Sequence, residues 1–255
     1  MFSFFKRTEK AMPLSIEKGD WFLASYPRSG NTWIRIMLAN LFFKFPEINS
    51  LVKLQEFVPD VHFGKPFIQR KIEKKFKLIK THEPFGSKMS KAIYIYRNPL
   101  DSAWSFYNFL KDIKALKSAD TDLFIADFFK GTIPYGRWDT HVLGWENAAL
   151  KNSNIVSFSY EEINRDPILF LSKVTTLLKV SSTEHDIDRA VKESTAALVK
   201  KITNDEVFYG TNIPQFVTTP IYGESIEKKA FKEKYIDLFK SEIKIYDFEK
   251  NELRK

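Results

Sequence analysis

Three polar loops, each following an apolar run rich in β-formers, carry the residue types that hold anions and move protons. The first, Tyr26-Pro27-Arg28-Ser29-Gly30-Asn31-Thr32-Trp33, lies between Trp21-Phe22-Leu23-Ala24-Ser25 and the apolar, helix-length stretch Ile34 to Phe45. A strand, a tight loop of small residues and a helix start make an anion-binding device. Orphan backbone N–H groups at the helix N-terminus point at the ligand, and the helix dipole favours negative charge there. The loop nearly fits the phosphate-binding pattern G-x-x-x-x-G-K-[ST], but Ser25 replaces the first Gly and Asn31 replaces the Lys. The second loop reads Lys80-Thr81-His82-Glu83-Pro84. Taken alone, His82 reads more readily as a structural histidine than as a catalyst. A His at a strand end can nevertheless serve as general base, and Lys80, two residues earlier on the same side, can supply positive charge to a developing anion. The third loop favours the catalytic reading: Arg97 closes a strand and Ser105 lies about two turns into the next helix, so a guanidinium and a hydroxyl could grip a second phosphate group.

For these loops to meet, the runs before them must lie side by side. Trp21 to Ser25, Phe76 to Thr81, Ala92 to Tyr96 and Ile155 to Tyr160 read as strands, and the unbroken apolar character of Ala92 to Tyr96 suits a buried parallel strand. Asn98 as N-cap, Pro99 at the first helical position and Asp101 in the first turn predict a helix from Pro99 to Leu110. Further helices are expected over Asp122 to Phe129, Trp138 to Leu150, Pro167 to Val180, Asp186 to Leu198 and Ile226 to Phe248. Residues 201–225, broken by Gly210, Pro214, Pro220 and Gly223, read as a long loop. The alternation predicts one α/β domain over residues 1–255, a central parallel sheet flanked by helices, P-loop nucleotide-binding-like. In such sheets ligands sit at the carboxyl ends of the strands, where the loops at Arg28, His82 and Arg97 converge.

Composition narrows the chemistry. A chain of 255 residues, 44% hydrophobic and with 24 Phe, can build a sizeable packed core. No apolar run approaches bilayer-crossing length, and Met1 to Lys10 is too short and too charged for a signal peptide, so a cytoplasmic protein with no membrane span is expected. With no Cys, disulfides, thiolate catalysis and zinc-thiolate sites are excluded. The formal net charge of +8 would attract a polyanion or a highly charged small substrate. Its densest runs, Arg70 to Lys80 with six basic residues and Lys228 to Lys240, read as solvated helical faces, and no nucleic-acid partner is expected.

The three loops, with Tyr107 beside Ser105, together resemble the signatures of the soluble sulfotransferases, which use 3′-phosphoadenosine 5′-phosphosulfate (PAPS). Tyr135-Gly136-Arg137-Trp138 with His141, Val142 and Trp145 is similar to the family's segment beside the acceptor pocket, and Tyr160-Glu161-Glu162 with Asp166-Pro167 to its strand end near the adenine. The resemblance spans Trp21 to Leu178. It implies that Arg28 and the amides of Ser29, Gly30, Asn31 and Thr32 cradle the 5′-phosphosulfate, that Arg97 and Ser105 hold the 3′-phosphate, and that Trp33 and Tyr160 meet the adenine. It implies His82 as general base toward a hydroxyl or amine of a small acceptor, and Lys80 and Arg28 as the cations that stabilise the transition state. Adenosine 3′,5′-bisphosphate leaves, and no metal is expected. Two departures stand out: Arg28 occupies a position where many members carry Lys, and the family's Arg-Lys-Gly segment is absent between Val199 and Lys229. Lys200, Lys201 or the loop Thr218 to Ser225, within the long loop placed near the cofactor site, are the candidates to replace it. Phe57, Phe63, Phe67, Phe85, Phe106, Tyr107, Trp138 and Trp145 are candidate pocket linings that lean toward an apolar acceptor. Two rival readings remain: a P-loop small-molecule kinase, disfavoured by Asn31 at the Lys position and by strands that do not end in Asp, and a non-catalytic anion- or nucleic-acid-binding protein.

Overall fold

The computed structural model describes residues 15–44, 48, 50–61, 69–86, 88–116, 118–204 and 225–254. Four parallel strands, β1 (Trp21–Ser25), β2 (Leu78–Thr81), β3 (Ala92–Tyr96) and β4 (Ile155–Ser159), form a sheet in the order β2-β1-β3-β4. Ala24 lies opposite both Thr81 and Tyr94, and Tyr96 opposite Ser159, so all four strands finish at one edge. The chain leaves β1 toward β2 on one side and returns to β3 on the other. That makes β1 a switch point, the place where open α/β sheets part their loops to admit a ligand.

The helices are α1 (Asn31–Phe42), α2 (Leu51–Leu54), α3 (Pro99–Asp112), α4 (Thr121–Lys130), α5 (Trp138–Ala149), α6 (Tyr160–Arg165), α7 (Pro167–Leu178), α8 (Glu184–Lys192), α9 (Ala196–Asn204) and α10 (Ile226–Glu242). Strand side chains alternate between two buried layers. Trp21, Leu23, Leu78, Ile93 and Ile95 pack with apolar residues of α1, α7 and α8. Phe22, Ala24, Ile79, Tyr94 and Tyr96 pack on the other face with those of α3, α4, α5 and α10. Each fully buried large apolar side chain contributes about 1.5–3 kcal/mol relative to exposure, so both faces fix the sheet firmly.

Several expectations are corrected. The helix from Ile34 starts three residues earlier, at Asn31, and stops at Phe42. The helix expected over Asp186 to Leu198 is two. A capping box between Thr183 and Asp186 starts α8 at Glu184, and the Thr195 hydroxyl accepts from Leu198 N–H to start α9. Residues 201–204 belong to α9, while 205–224 lie outside the described residues, as do Phe63 and Phe67. Tyr160 does not end β4. A capping box between Ser159 and Glu162 makes it the first residue of α6. The last helix stops at Glu242 and is followed by an antiparallel hairpin, β5 (Tyr246–Asp247) with β6 (Glu252–Leu253), turned where Asp247 Oδ1 accepts from the N–H groups of Glu249 and Lys250. Arg70 to Lys80 is not a helical face either: it forms a turn closed by an Ile72–Phe76 bridge and then enters β2.

Candidate active site at the strand ends

The cradle is built by Gly30. Its φ of 82° is the left-handed conformation that only a residue without Cβ adopts cheaply, and it ends the loop as the N-cap of α1. A Cβ there would meet the Tyr160 ring at 2.4 Å, so the glycine also lets Tyr160 lie directly against the loop. No side chain caps α1 and its first turn holds no carboxylate, which leaves its positive end facing the strand edge. Ser29 Oγ is buried with no hydrogen-bond partner among the described residues, as is Arg97 Nε. Buried donors left without acceptors cost about 1–3 kcal/mol each, and an anion at the loop would supply the missing acceptor. Asn31 turns its side chain back instead, donating from Nδ2 to Ser25 Oγ at 3.0 Å. Thr32 is half-buried in the first turn.

Arg28, itself at a left-handed φ of 68°, runs toward α3. Its Nε donates to Ser105 Oγ at 3.1 Å, and its guanidinium carbon lies 5.0 Å from the Phe109 ring centre. Burial, aided by neighbouring Arg97, lowers its pKa to about 10, which leaves it charged at neutral pH. Arg97 Nη1 donates to the Arg28 carbonyl at 3.2 Å, and its guanidinium stacks 4.6 Å from the Tyr160 ring centre. The Tyr160 ring meets that of Trp33 edge-on at 6.1 Å, and Trp33 Nε1 is anchored on the Ser194 carbonyl at 2.8 Å. Six of the nine residues expected to bind the cofactor, Arg28, Gly30, Trp33, Arg97, Ser105 and Tyr160, are linked by these contacts, and Ser29, Asn31 and Thr32 lie between them in the loop.

His82 sits across β1 from that surface. Its Nδ1 lies 2.8 Å from the Ser25 carbonyl, an atom that can only accept, so the ring proton is on Nδ1 and the lone pair is on Nε2. Ser25 Oγ, 3.2 Å away, is a second acceptor for the same proton. The loop that carries His82 is held from α5: His141 Nε2–H donates to the His82 carbonyl at 3.0 Å, and Trp145 Nε1 to the Glu83 carbonyl at 3.4 Å. Tyr94 O–H in turn lies 2.9 Å from His141 Nδ1, and Tyr94 stacks on Trp145 at 5.2 Å. Burial pushes the His141 pKa down to about 4, so the imidazole is neutral, a donor at one nitrogen and an acceptor at the other. The Tyr135 ring faces His82 at 5.5 Å. Tyr26 spans the two parts, its hydroxyl donating to the Gly136 carbonyl at 3.0 Å and its ring edge-on to His141 at 5.3 Å.

Lys80 is less open than its motif suggests. Its Nζ forms an ion pair at 2.9 Å with Asp60, and both residues are 5% exposed. Sequence reading gave no signal for Asp60, which reaches Lys80 because Pro59 and Val61 hydrogen-bond to the β2 edge. Of the aromatic residues expected to line a pocket, Phe57, Phe106, Tyr107, Trp138 and Trp145 are core residues, each less than 9% exposed, whereas Phe85 is 37% exposed and rests on Trp145. Among the described residues no group of three or more metal-binding side chains occurs, and no helix is long and apolar enough to cross a membrane.

A family profile described as sulfotransferase domain matches residues 18–235. Bovine (Bos taurus) sulfotransferase 1A1 is 28% identical over 71% of this chain and 66% of its own length, so the chain spans about two thirds of that relative. Rabbit (Oryctolagus cuniculus) amine sulfotransferase is 27% identical over 77% of this chain and 68% of its own. The fold is that of mouse sulfotransferase SULT7A1 complexed with PAP, with a TM-score of 0.61, 23% identity, and coverage of 90% of this chain and 85% of that one. The matched segment contains all three strand-end loops and the residues gathered round them, and the chain belongs to the PAPS-dependent sulfotransferase family.

Proposed function

We propose that the chain moves a sulfuryl group from PAPS to a hydroxyl or amine of a small, apolar acceptor, with His82 as general base and Lys80 and Arg28 as the stabilising cations. When bound, PAPS supplies an activated sulfuryl group and a good leaving group, adenosine 3′,5′-bisphosphate. The observation that carries the reading is the His82 tautomer: with Nδ1–H given to the Ser25 carbonyl, Nε2 is the nitrogen that accepts the acceptor's proton. Ser29, Gly30, Asn31 and Thr32 would hold the phosphosulfate at the start of α1, Arg97 and Ser105 the 3′-phosphate, and Trp33 with Tyr160 the adenine. Arg28 hydrogen-bonds Ser105 and adjoins Arg97, so one guanidinium links the two anion positions. Fixed cations and helix-start amides are suited to charge that grows on sulfuryl and bridging oxygens, because they need no reorganisation as it develops.

An apolar acceptor is supported by Phe85 and Tyr135 near the His82 loop, and the absence of a nucleic-acid partner by basic side chains that are consumed internally, such as Lys77 with Asp20 and Lys228 with Asp101. Lys200, Lys201 or the loop Thr218 to Ser225 would replace the Arg-Lys-Gly segment, and that loop leads in sequence to α10, whose Lys228 and Lys232 grip Asp101. Thermal unfolding with adenosine 3′,5′-bisphosphate, ATP and NADP separately, followed by labelled PAPS with a panel of phenols, alcohols and amines, tests the reading. A shift with the bisphosphate and label transfer are expected. No shift with the bisphosphate would sink it.

A further inference from the structure

Lys80 stands in a place that disfavours its own charge. It is buried, and the buried guanidinium of Arg35 on α1 acts on it as a like charge. Arg35 is committed elsewhere, since both its Nε and Nη2 donate to the Val58 carbonyl. Two carboxylates oppose this pressure: Asp60 in direct contact at 2.9 Å, and Glu83, two residues into the loop that follows β2, at longer range. Tyr135, whose ring also meets His82, lies near both carboxylates, and burial and those charges keep its phenol protonated.

Asp60 is not a casual surface partner. Its N–H donates to Gln55 Oε1 at 2.8 Å, and Gln55 Nε2 donates to the Leu51 carbonyl at 3.1 Å, so a fully buried amide fixes the backbone that presents the carboxylate. The neighbouring residues pin it to β2 itself: Lys80 N–H donates to the Pro59 carbonyl at 2.7 Å, and Val61 N–H to the Lys80 carbonyl at 3.0 Å. A carboxylate locked by backbone on both sides of its partner sets where the ammonium sits, not merely that one is present.

We infer that Asp60 is a positioning residue for sulfuryl transfer: it holds the Lys80 ammonium charged and in one place beside the strand end that leads to His82. This rests on the transfer function proposed above, in which Lys80 stabilises growing negative charge. Breaking a buried pair by removing one partner leaves the other uncompensated, and here that partner can relieve itself by losing a proton. The ammonium would then vanish at a lower pH than in the native protein.

The test uses the full chain labelled with ¹⁵N-lysine, following the Lys80 side-chain nitrogen through a pH titration, alongside kcat and KM for PAPS across the same range. In Asp60→Asn the Lys80 midpoint moves to lower pH, the alkaline limb of kcat moves the same way, and above it kcat falls about tenfold or more while KM changes little. In a Lys80→Arg background, where the charge cannot be lost, Asp60→Asn leaves the shape of the pH profile unchanged. An unmoved Lys80 midpoint and an unmoved alkaline limb in a folded Asp60→Asn protein overturn the inference. If Asp60→Asn does not fold, Asp60→Glu, which keeps the carboxylate but moves it, decides: a lowered kcat with KM for PAPS nearly unchanged supports the inference, and an unchanged kcat overturns it. Absence of any transfer by the native protein would instead remove the proposed function, while the Lys80 titration still reports on the pair.

Discussion

The two sides of β1 are assembled by opposite means. On the cofactor side, one loop of adjacent residues does most of the work: Gly30 turns the backbone, α1 supplies its uncapped end, and Arg97 and Tyr160 close over it from the ends of β3 and β4. On the base side almost nothing is local. His82 is oriented by the end of β1, its loop is held by α5, and Lys80 is held by a segment twenty residues upstream. The difference fits what each side would handle in the proposed transfer. An anion can be held by backbone dipoles that one loop can point together, whereas a proton acceptor needs a chosen tautomer and a chosen direction, which take partners from several elements.

Each side can be broken alone. His82→Ala should cost the largest effect, about 10²–10⁴ in kcat, with calorimetric affinity for adenosine 3′,5′-bisphosphate nearly unchanged. Equal loss of both would erase the distinction between the sides. Acid comes next. The His141 pKa is about 4 in the folded chain against an ordinary 6.5, so the unfolded chain binds the extra proton first. Its contribution to stability is complete above pH 6.5 and is lost as pH falls from there toward 4, by about 3 kcal/mol over the whole interval. His141→Gln should flatten that part of the curve of unfolding free energy against pH. Gly30→Ala should then damage the cradle, straining a left-handed backbone by about 1–2 kcal/mol and displacing Tyr160. Bisphosphate affinity should drop about tenfold while any residual turnover at saturating PAPS keeps its pH profile. The smallest effect sharpens the contrast with phosphoryl transfer: chelation with EDTA should leave the rate unchanged, where a kinase would lose it.

This asymmetry also explains what could be read in advance. Trp21 to Ser25 and Ala92 to Tyr96 were legible residue for residue because continuous apolar β-formers flanked by polar loops have few alternatives, and Asn98-Pro99 marked the start of α3 by its own chemistry. His82, Arg28 and Arg97 could be nominated from strand-end position. Asp60 and Tyr94 could not, since their roles depend on pairing across 20 and 47 residues of sequence, which no local pattern announces; Gln55 matters only through the Asp60 it anchors. The break between α8 and α9 was hidden for a related reason: Ser194 sits where a helix could continue, but its hydroxyl bonds the Ala190 carbonyl, and Thr195 restarts the next helix. Trp145, in the segment that resembles the family's acceptor-side stretch, is a buried prop for the His82 loop, a role its place in the sequence does not announce.

Tyr26 opens the cradle and ends on the turn that leads into α5, the helix holding the His82 loop. The two sides, so different in construction, therefore share one rigid strut. Occupancy of the cradle should be felt as slower amide hydrogen exchange along Trp138–Ala149, on the other side of the strut, so the protein would register that its donor has arrived before any acceptor is engaged.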